Sequence, residues 1–458
     1  MMNLSIWFTV KIHFSNTKTP SKGPPTKPKP NVNNKENKEP VEVFCRLRPL
    51  ANFADLVVVQ RFNDKLVKIS DPKGNKDDIC YNFKYVFNCD ATQKDVFDRD
   101  AKPIVQDLIV NRQNGLLFTY GITSSGKTYT LTGNPKECGI LPRCLDVLFN
   151  SIEEFQARKY TFKPNGQNFF EIQSSPDAII EWQNEKIIPK TPTTPYYTRS
   201  ARKTTIKKVV DEEWDNRLKE TFQIENIDSN YAYSIFISHV EVYNNYIYDL
   251  LDDPLNDNGR FTPRTQPQSK LLREDARRRV YVQGGTEVEV RNTKEAFELF
   301  IKGIKRRTNA FTNLNNESSR SHSVFTIRLV SAPWDSTRTE VLQDPRFLCV
   351  NQLSLVDLAG SERTNRTKNF GERLKEAGNI NNSLMGLRTC IEILRENQRT
   401  GQSKVVPYRD NKLTHLFKSY FEGEGKVGMI ICVNPCAEEY DETLVSKSKI
   451  SIIFVIIV

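Results

Sequence analysis

The amino-acid sequence predicts an α/β fold in which a central, mostly parallel sheet is flanked by helices on both faces. Strand-like and helix-like segments alternate along most of the chain. A glycine-rich loop stands between a buried strand and a helix, and a second apolar strand ends in a carboxylate. The loop and the carboxylate together predict a nucleotide-binding site.

The first half of the chain supplies the elements around this loop. Val41–Cys45 has the alternating pattern of a half-buried strand, and apolar residues recur at helical spacing in Asp95–Val110. The predicted order is strand Val41–Cys45, strand Tyr81–Phe87, helix Asp95–Val110, strand Gly115–Tyr120 and helix Ile140–Ile152.

The segment after strand Gly115–Tyr120 fits the phosphate-loop pattern G-x-x-x-x-G-K-[ST]. Its glycines let backbone N–H groups turn towards phosphate oxygens, and the next helix adds its positive N-terminal end. Lys127 supplies a charge for the β- and γ-phosphates, and Thr128 a hydroxyl for Mg²⁺. A plain turn before a helix is the alternative. The loop consists of Gly121, Ile122, Thr123, Ser124, Ser125, Gly126, Lys127 and Thr128.

Three segments differ in composition from a folded core. Residues 1–40 are predicted to form a disordered basic arm rich in lysine and proline. Residues from about 153 to 230 are polar, contain five prolines and lack a sustained helix or strand period, which predicts a partly disordered insertion rather than a second domain. Residues 446–458 form an atypical apolar tail.

The second half continues the alternation of strands and helices. Apolar residues of Glu372–Asn397 recur every three or four positions, which makes this the clearest amphipathic helix. The predicted order is strand Tyr233–Tyr243, a hairpin arm at Val280–Val290, helix Thr293–Thr308, strands Val324–Val330 and Asn351–Leu355, helix Glu372–Asn397 and strand Lys426–Val433.

The apolar strand Leu353–Asp357 ends in a carboxylate that can reach Mg²⁺ through water, although buried strands often end in Asp for structural reasons. Gly360 follows, where its N–H can reach a γ-phosphate, and Glu362 can move with it. The polar segment Asn315–Ser323 is dense in hydroxyls beside Arg320, which can pair with a carboxylate such as Glu362. A polar capping segment before the next strand is the alternative for that stretch.

Lysine and arginine exceed aspartate and glutamate by 66 to 56 in the 458-residue chain, a formal net charge of +10. This balance favours an acidic partner, but charge alone does not choose among nucleic acid, an anionic membrane and an acidic filament. Nine cysteines without a C-x-x-C pair, together with four histidines, argue against a zinc site and indicate reduced thiols in the cytosol or nucleus. No convincing targeting or membrane-spanning segment is present.

Several motifs resemble those of kinesin motor domains and occur in that family's order across about residues 41–445. Asn315–His322 is similar to the family's switch I, and Asp357–Glu362 is similar to its switch II. The further matches are the phosphate loop, Arg46–Pro49, Val240–Leu251 and Pro407–Thr414. The resemblance implies a kinesin-like P-loop NTPase fold over residues 41–445, with the insertion inside it.

The resemblance also implies roles for individual residues. The positions that flank the adenine are Arg46, Arg48, Pro49 and Tyr129, and Asn315 is a further nucleotide-binding position. The positions on the Mg²⁺ side are Thr128, Ser319 and Asp357. The positions that close around the γ-phosphate and orient the attacking water are Ser319, Arg320, Gly360 and Glu362, with a salt bridge between Arg320 and Glu362.

A microtubule motor that uses ATP and Mg²⁺ is the function that the resemblance implies, with tubulin as partner and neither nucleic acid nor membrane. Glu372–Asn397 is similar to the family's relay helix. The preceding loop Thr364–Lys368, and Arg409 and Lys412, match segments that face the track. The acidic surface of tubulin suits the positive charge of the chain.

Within the family, Glu376–Met385, Leu387–Gln398, Leu416–Lys426 and the long insertion are similar to the kinesin-6 class. The resemblance is strongest to the mitotic motors of the centralspindlin complex, which bundle antiparallel microtubules in the spindle midzone during cytokinesis. It implies a location in the cytoplasm and cytoskeleton, at the spindle and midzone, and in the nucleus during interphase.

The resemblance ends near residue 445. Family members continue into a last helix, a neck and a coiled-coil stalk through which they dimerise, whereas no heptad period follows here. The alternative function is therefore a non-motor microtubule-binding or crosslinking module, inactivated by C-terminal truncation. A signalling GTPase is a weaker alternative, because no [NT]-K-x-D guanine-binding motif follows Asp357.

Overall fold

An eleven-stranded sheet forms the centre of the fold in the computed structural model. The structure describes residues 41–50, 56–75, 77–187, 213–252, 268–309, 320–362, 372–437 and 440. The predicted basic arm 1–40 and the apolar tail 446–458 lie outside these residues. No helix within the described residues has the length and apolar character needed to cross a membrane.

The sheet has the strand order β12-β11-β10-β9-β14-β15-β6-β16-β1-β5, and β13 pairs with β9. The strands are β1 Glu42–Leu47, β2 Val59–Arg61, β3 Leu66–Ile69, β4 Ile79–Asn82, β5 Tyr85–Phe87, β6 Asn114–Tyr120, β7 Phe162–Pro164, β8 Phe170–Ile172, β9 Tyr231–Tyr243, β10 Tyr246–Asp249, β11 Ser269–Glu274, β12 Val280–Gln283, β13 Val288–Val290, β14 His322–Pro333, β15 Cys349–Asp357 and β16 Gly425–Val433. Strands β2, β3 and β4 form a second small sheet, and β7 and β8 form a third.

The predicted α/β class is confirmed, but the sheet is mixed rather than mostly parallel. Strands β15, β6, β16, β1 and β5 run parallel to one another, whereas the pairs from β12 to β15 are antiparallel. The antiparallel half follows from tight connections: Asn244 and Asn245, between β9 and β10, both have positive φ (49° and 61°). Successive left-handed residues build the turn that suits a two-residue hairpin.

Helices cover both faces of the sheet, as predicted. They are α1 Gln93–Val96, α2 Lys102–Ile109, α3 Lys127–Thr132, α4 Ile140–Ile152, α5 Ser175–Ile187, α6 Thr293–Asn309, α7 Glu372–Thr400 and α8 Lys412–Leu416. Alternate residues of β6 enter two different cores: Phe118 packs in the core that contains Leu387 of α7, and Leu117 packs in the core that contains Leu148 of α4. This alternation is the period of two of a strand buried on both faces.

Three predicted elements are divided in the structure. The predicted strand Tyr81–Phe87 becomes β4 and β5, which belong to different sheets. The predicted helix Asp95–Val110 contains a π-helical turn at Phe97–Ala101, which ends two residues before Pro103, a residue without an N–H for the regular helical bond. The predicted hairpin arm at Val280–Val290 becomes β12 and β13, which pair with β11 and β9.

Part of the insertion forms secondary structure within the described residues. Strands β7 and β8 form a hairpin, and α5 follows directly. The hairpin is held because Phe162 and Phe170 are buried, and the ring of Phe170 lies 4.6 Å from that of Phe236 in β9. Strands of three residues are too short for a period of two to stand out in a sequence.

Candidate nucleotide site

The phosphate loop connects the end of β6 to α3, as predicted. Gly121 and Gly126 have φ angles of 151° and 98°. A Cβ atom on Gly121 would lie 2.4 Å from the carbonyl oxygen of Cys432 and 2.5 Å from Ser125 Oγ. Both the backbone angle and the close neighbours of Gly121 therefore require glycine at this position. The loop curls at this glycine and then enters the helix α3.

Lys127 is buried, and its Nζ donates hydrogen bonds to the carbonyl oxygens of Gly121 (2.9 Å) and Ile122 (2.8 Å). Burial lowers the pKa of Lys127. Ser125 Oγ is buried and has no hydrogen-bond partner within the described part of the chain. A curled loop with a buried amine and an unsatisfied hydroxyl fits a phosphate group, whose oxygens accept hydrogen bonds from both.

Asp357, at the end of β15, lies against the first turn of α3. Its Oδ2 accepts a hydrogen bond from Thr128 Oγ1 (2.8 Å), and its Oδ1 accepts one from Thr119 Oγ1 (3.3 Å). Adjacent hydroxyl and carboxylate oxygens are the ligands that Mg²⁺ prefers. The structure thus brings together two of the three predicted Mg²⁺-side residues, and these residues fit the ion; the third, Ser319, lies outside the described residues.

The loop after Asp357 lies directly on the phosphate loop. Glu362 accepts two hydrogen bonds from Thr123, at Oε2 from the backbone N–H (2.9 Å) and at Oε1 from the side-chain hydroxyl (2.6 Å). A Cβ atom on Gly360 would lie 2.4 Å from Thr123 Oγ1. Gly360 therefore permits this close approach, and the hydrogen bonds of Glu362 tie its position to that of the phosphate loop. The Arg320–Glu362 salt bridge stays a prediction.

The predicted adenine-side residues form a cluster beside the phosphate loop. Arg46 is buried; its guanidinium donates to Gln93 Oε1 (2.7 Å) and lies 5.5 Å from the ring centre of Tyr129. Arg48 donates to the carbonyl oxygen of Ser124. These contacts make Arg46 a support for the ring of Tyr129, whereas Pro49 is exposed.

Of the predicted switch I residues, Asn315, Ser318 and Ser319 lie outside the described residues. Arg320 and His322 are described. His322 is buried, its Nδ1 accepts a hydrogen bond from the N–H of Ala359 (3.0 Å), and its Nε2 lies 2.7 Å from Ser383 Oγ in α7. Because Nδ1 accepts, the ring proton resides on Nε2 and is donated to Ser383.

The chain of hydrogen bonds continues into α7, since Ser383 Oγ donates to the carbonyl oxygen of Ile380 (2.6 Å). Burial lowers the pKa of His322 to about 3, so the ring is neutral. His322 thereby connects the loop after Asp357 to the helix α7 through directed, uncharged hydrogen bonds.

Sequence reasoning missed Arg307, in the last turn of α6. Its Nε donates to Ser321 Oγ (2.9 Å) and its Nη2 to the Ser321 carbonyl oxygen (2.6 Å). Its guanidinium also lies 3.6 Å from Glu241 Oε1 and 3.7 Å from Asp357 Oδ2. Arg307 thus links α6, β9, the start of β14 and Asp357. The only sequence signal is a basic residue at a helix C terminus, which usually indicates an exposed charge.

Comparison with known proteins assigns this site to a class. The sequence profile of the kinesin motor domain matches residues 29–448. The chain therefore belongs to the kinesin motor domain family, whose members are microtubule-stimulated ATPases of the P-loop type.

Individual relatives are also kinesin-like proteins. It is 52% identical over 418 residues to the kinesin-like protein KIF23 of Mus musculus, and 35% identical over 447 residues to KIF20B of Homo sapiens. These matches cover 89% and 91% of this chain but only 42% and 23% of the relatives. The chain thus spans less than half the length of these two relatives.

Solved structures confirm the kinesin fold. A structure described as kinesin 6 superposes with a TM-score of 0.74 at 38% identity, and the match covers 90% of this chain and 99% of that one. A KIF14 fragment solved with ADP in complex with a microtubule superposes with a TM-score of 0.63 at 26% identity, covering 91% and 95% of the two chains.

Proposed function

We propose that this chain binds Mg²⁺ and ATP in the described site and couples ATP hydrolysis to microtubule binding and movement in the spindle midzone during cytokinesis. The observation that carries the proposal is the position of Asp357. Its carboxylate contacts the phosphate-loop hydroxyl of Thr128, and the backbone that follows it donates to His322. One strand end therefore serves both the nucleotide and the helix α7.

The chemistry asked of the protein is positioning and electrostatics, because phosphoryl transfer requires little covalent work from side chains. Lys127 and the backbone of the phosphate loop hold the phosphates, and Thr128 and Asp357 would hold Mg²⁺, which neutralises phosphate charge when bound. In this proposal Arg320, Gly360 and Glu362 close on the γ-phosphate and orient the attacking water.

Coupling to the track follows from the hydrogen bonds of His322. A displacement of the Ala359 backbone changes the hydrogen bond at Nδ1, and the rigid ring transmits that change to Ser383 at Nε2. Because Ser383 lies in α7, which resembles the relay helix of kinesins, closure around the γ-phosphate becomes a change at the microtubule-facing surface.

Basic residues near α7 and α8 suit the acidic surface of tubulin. Arg409 and Lys412 lie in the segment that starts α8, and Lys418 follows it. For the whole protein, we propose dimerisation through a stalk, a cytoskeletal location at the spindle and midzone, and a nuclear location in interphase; the mitotic relatives support these assignments.

The test is ATP turnover by the purified chain with and without microtubules. Thr128→Val removes the hydroxyl but keeps the shape, and we expect a loss of turnover of about 100-fold or more. Thr132→Val, in the same helix, is the matched control, and Arg320→Ala tests the arginine of switch I. Stimulated turnover that Thr128→Val abolishes supports the proposal.

Two other outcomes contradict it. Microtubule binding without turnover favours a crosslinking module, and an absence of both shows that the chain has neither activity. Retained turnover in Thr128→Val would contradict only the assignment of the Thr128 hydroxyl to Mg²⁺.

A further inference from the structure

The hairpin β11–β12 presents a basic tip. Arg273, Arg277 and Arg278 are exposed, and Arg279 is partly buried. The hairpin lies beside the segment 407–418, because its Glu274 carboxylate accepts a hydrogen bond from Arg409 (2.8 Å) and lies 3.4 Å from Lys418 Nζ. The tip therefore extends the basic surface of Arg409, Lys412 and Lys418.

Two consecutive acidic residues anchor the base of this tip in different directions. Glu274 faces α8, where the hydrogen bond from Arg409 is the largest cause that lowers its pKa to about 2. Asp275 faces the opposite way and holds the turn itself. Its Oδ1 accepts from the backbone N–H groups of Arg277 (2.9 Å) and Arg279 (2.8 Å), and its Oδ2 from Arg279 Nε (3.0 Å).

The remaining contact of Asp275 comes from the insertion. Asn168, in the turn between β7 and β8, donates a hydrogen bond from Nδ2 to Asp275 Oδ2 (2.9 Å). Its Oδ1 accepts a hydrogen bond from Arg328 of β14. Arg328 is paired in turn with Glu287 (2.8 Å). One asparagine side chain thus connects the insertion, the central sheet and the basic hairpin.

The turn that carries Asn168 is built to present this amide. Asn168 has a φ of 67°, a left-handed conformation that asparagine tolerates. Asn165 Oδ1 accepts the backbone N–H groups of Gln167 (2.8 Å) and Phe169 (3.2 Å), which fixes the turn, and Phe170 anchors it in the core. The amide position therefore depends on the insertion and not on the hairpin.

We propose that the β7–β8 turn is a brace for the basic hairpin, with Asn168 as the positioning residue, and that the brace sets how the hairpin arginines meet an acidic protein filament. The inference rests on the proposed microtubule binding. The base of the hairpin is held by the pairing of β11 with β10 and by the contact of Glu274 with Arg409. Without the contact from Asn168 the tip beyond Asp275 loses its support from the insertion, so the arginines lose the fixed spacing that matches fixed acidic groups. The insertion thereby tunes affinity for the track without touching the nucleotide.

The experiment compares Asn168→Gly with the unmodified chain. Glycine keeps the left-handed turn and deletes only the amide. We expect the microtubule concentration for half-maximal ATPase to rise about threefold to tenfold, since the hydrogen bonds of Asn168 with Asp275 and Arg328 are both lost. Microtubule-free turnover and maximal turnover should stay within about twofold. Hydrogen exchange of the 276–280 amides should become faster. A loss of global stability would instead make exchange faster throughout the chain.

Two further variants keep the inference falsifiable. Lys163→Met breaks the exposed pair with Glu181 (3.1 Å) in the same insertion and should leave all values unchanged. Asn168→Asp places a second carboxylate against Asp275 and should weaken binding at least as much as the glycine variant. If the unmodified chain binds microtubules and both Asn168 variants match it, the brace is refuted; if the unmodified chain does not bind, the proposed function fails first.

Discussion

Two buried acidic clusters in this fold differ in how closely an arginine approaches the carboxylates. The carboxylate of Asp146, in α4, accepts hydrogen bonds from Nη1 (2.8 Å) and Nη2 (2.6 Å) of Arg217. It also accepts one from the backbone N–H of Glu220 (2.9 Å). At the nucleotide site, Arg307 lies 3.6 Å from Glu241 Oε1 and 3.7 Å from Asp357 Oδ2, which are longer ionic contacts than those at Asp146.

The difference separates a structural anchor from a cluster that takes part in the nucleotide site. The Asp146 cluster is saturated with short hydrogen bonds, and it joins the last part of the insertion to α4, so removal of one partner should destabilise the fold. The ionic contacts of Arg307 with its two carboxylates are about 1 Å longer, and burial raises the pKa of Glu241. Longer ionic contacts next to Asp357 suit the rearrangements that a nucleotide cycle requires.

The largest effect should come from breaking the saturated cluster. Arg217→Ala leaves Asp146 buried without its partner, and we expect a loss of about 3–5 kcal/mol in the free energy of unfolding. Denaturant unfolding measures this loss, and ATP turnover per folded molecule should be unchanged below the transition. Loss of turnover in a stably folded Arg217→Ala variant would show that the anchor also serves the nucleotide site.

Arg307→Ala should have the opposite signature. We expect microtubule-stimulated turnover to fall about 10- to 100-fold, because Ser321 and Asp357 lose the group that lies between them. The free energy of unfolding should fall by less than in Arg217→Ala, since the ionic contacts are longer. Denaturant unfolding and ATP turnover per folded molecule measure the two effects. A loss of stability without a loss of turnover per folded molecule would contradict the contrast between the clusters.

Asp100 is another buried acid, and no ion pair joins it within the described part of the chain. Burial raises its pKa from 3.8 to about 8. Folding then takes up a proton between those two values, so the free energy of unfolding should fall as pH rises through this window. Asp100→Asn should remove that slope and be more stable by about 1–3 kcal/mol at pH 8. Denaturant unfolding at pH 5.5 and pH 8 measures it, and equal slopes in both proteins would contradict the assignment.

The contrast between the two clusters also explains what sequence could predict. Gly121–Thr128 and the end of β15 were found because their chemistry is local and fixes residue types at set spacings. Arg307 and Arg217 contact partners that lie far away in sequence. In the sequence alone, neither arginine can be distinguished from an ordinary surface charge. Asn168 was missed because three-residue strands carry too little periodicity to mark a turn.

The antiparallel half of the sheet escaped prediction for a related reason. Alternation of strands and helices indicates a sheet with helices on both faces, but it does not give strand direction when hairpins are present. Asn244 and Asn245 carried the missing signal, since paired asparagines tolerate the left-handed angles of a tight turn.

The smallest predicted effect sharpens the comparison at the nucleotide site itself. Ser383→Ala removes the acceptor of the His322 Nε2 proton but leaves the hydrogen bond from Ala359 in place. We expect microtubule stimulation of turnover to fall about threefold to tenfold, the cost of one buried hydrogen bond, while turnover without microtubules changes by less than about twofold. Ser354→Ala is the matched control, because that hydroxyl is also buried and lies 3.0 Å from both Thr326 Oγ1 and Tyr420 Oη, yet faces no switch residue. Equal losses in the two variants would mean that His322 only packs against α7, whereas a loss confined to Ser383→Ala makes the ring the connection between γ-phosphate closure and the track.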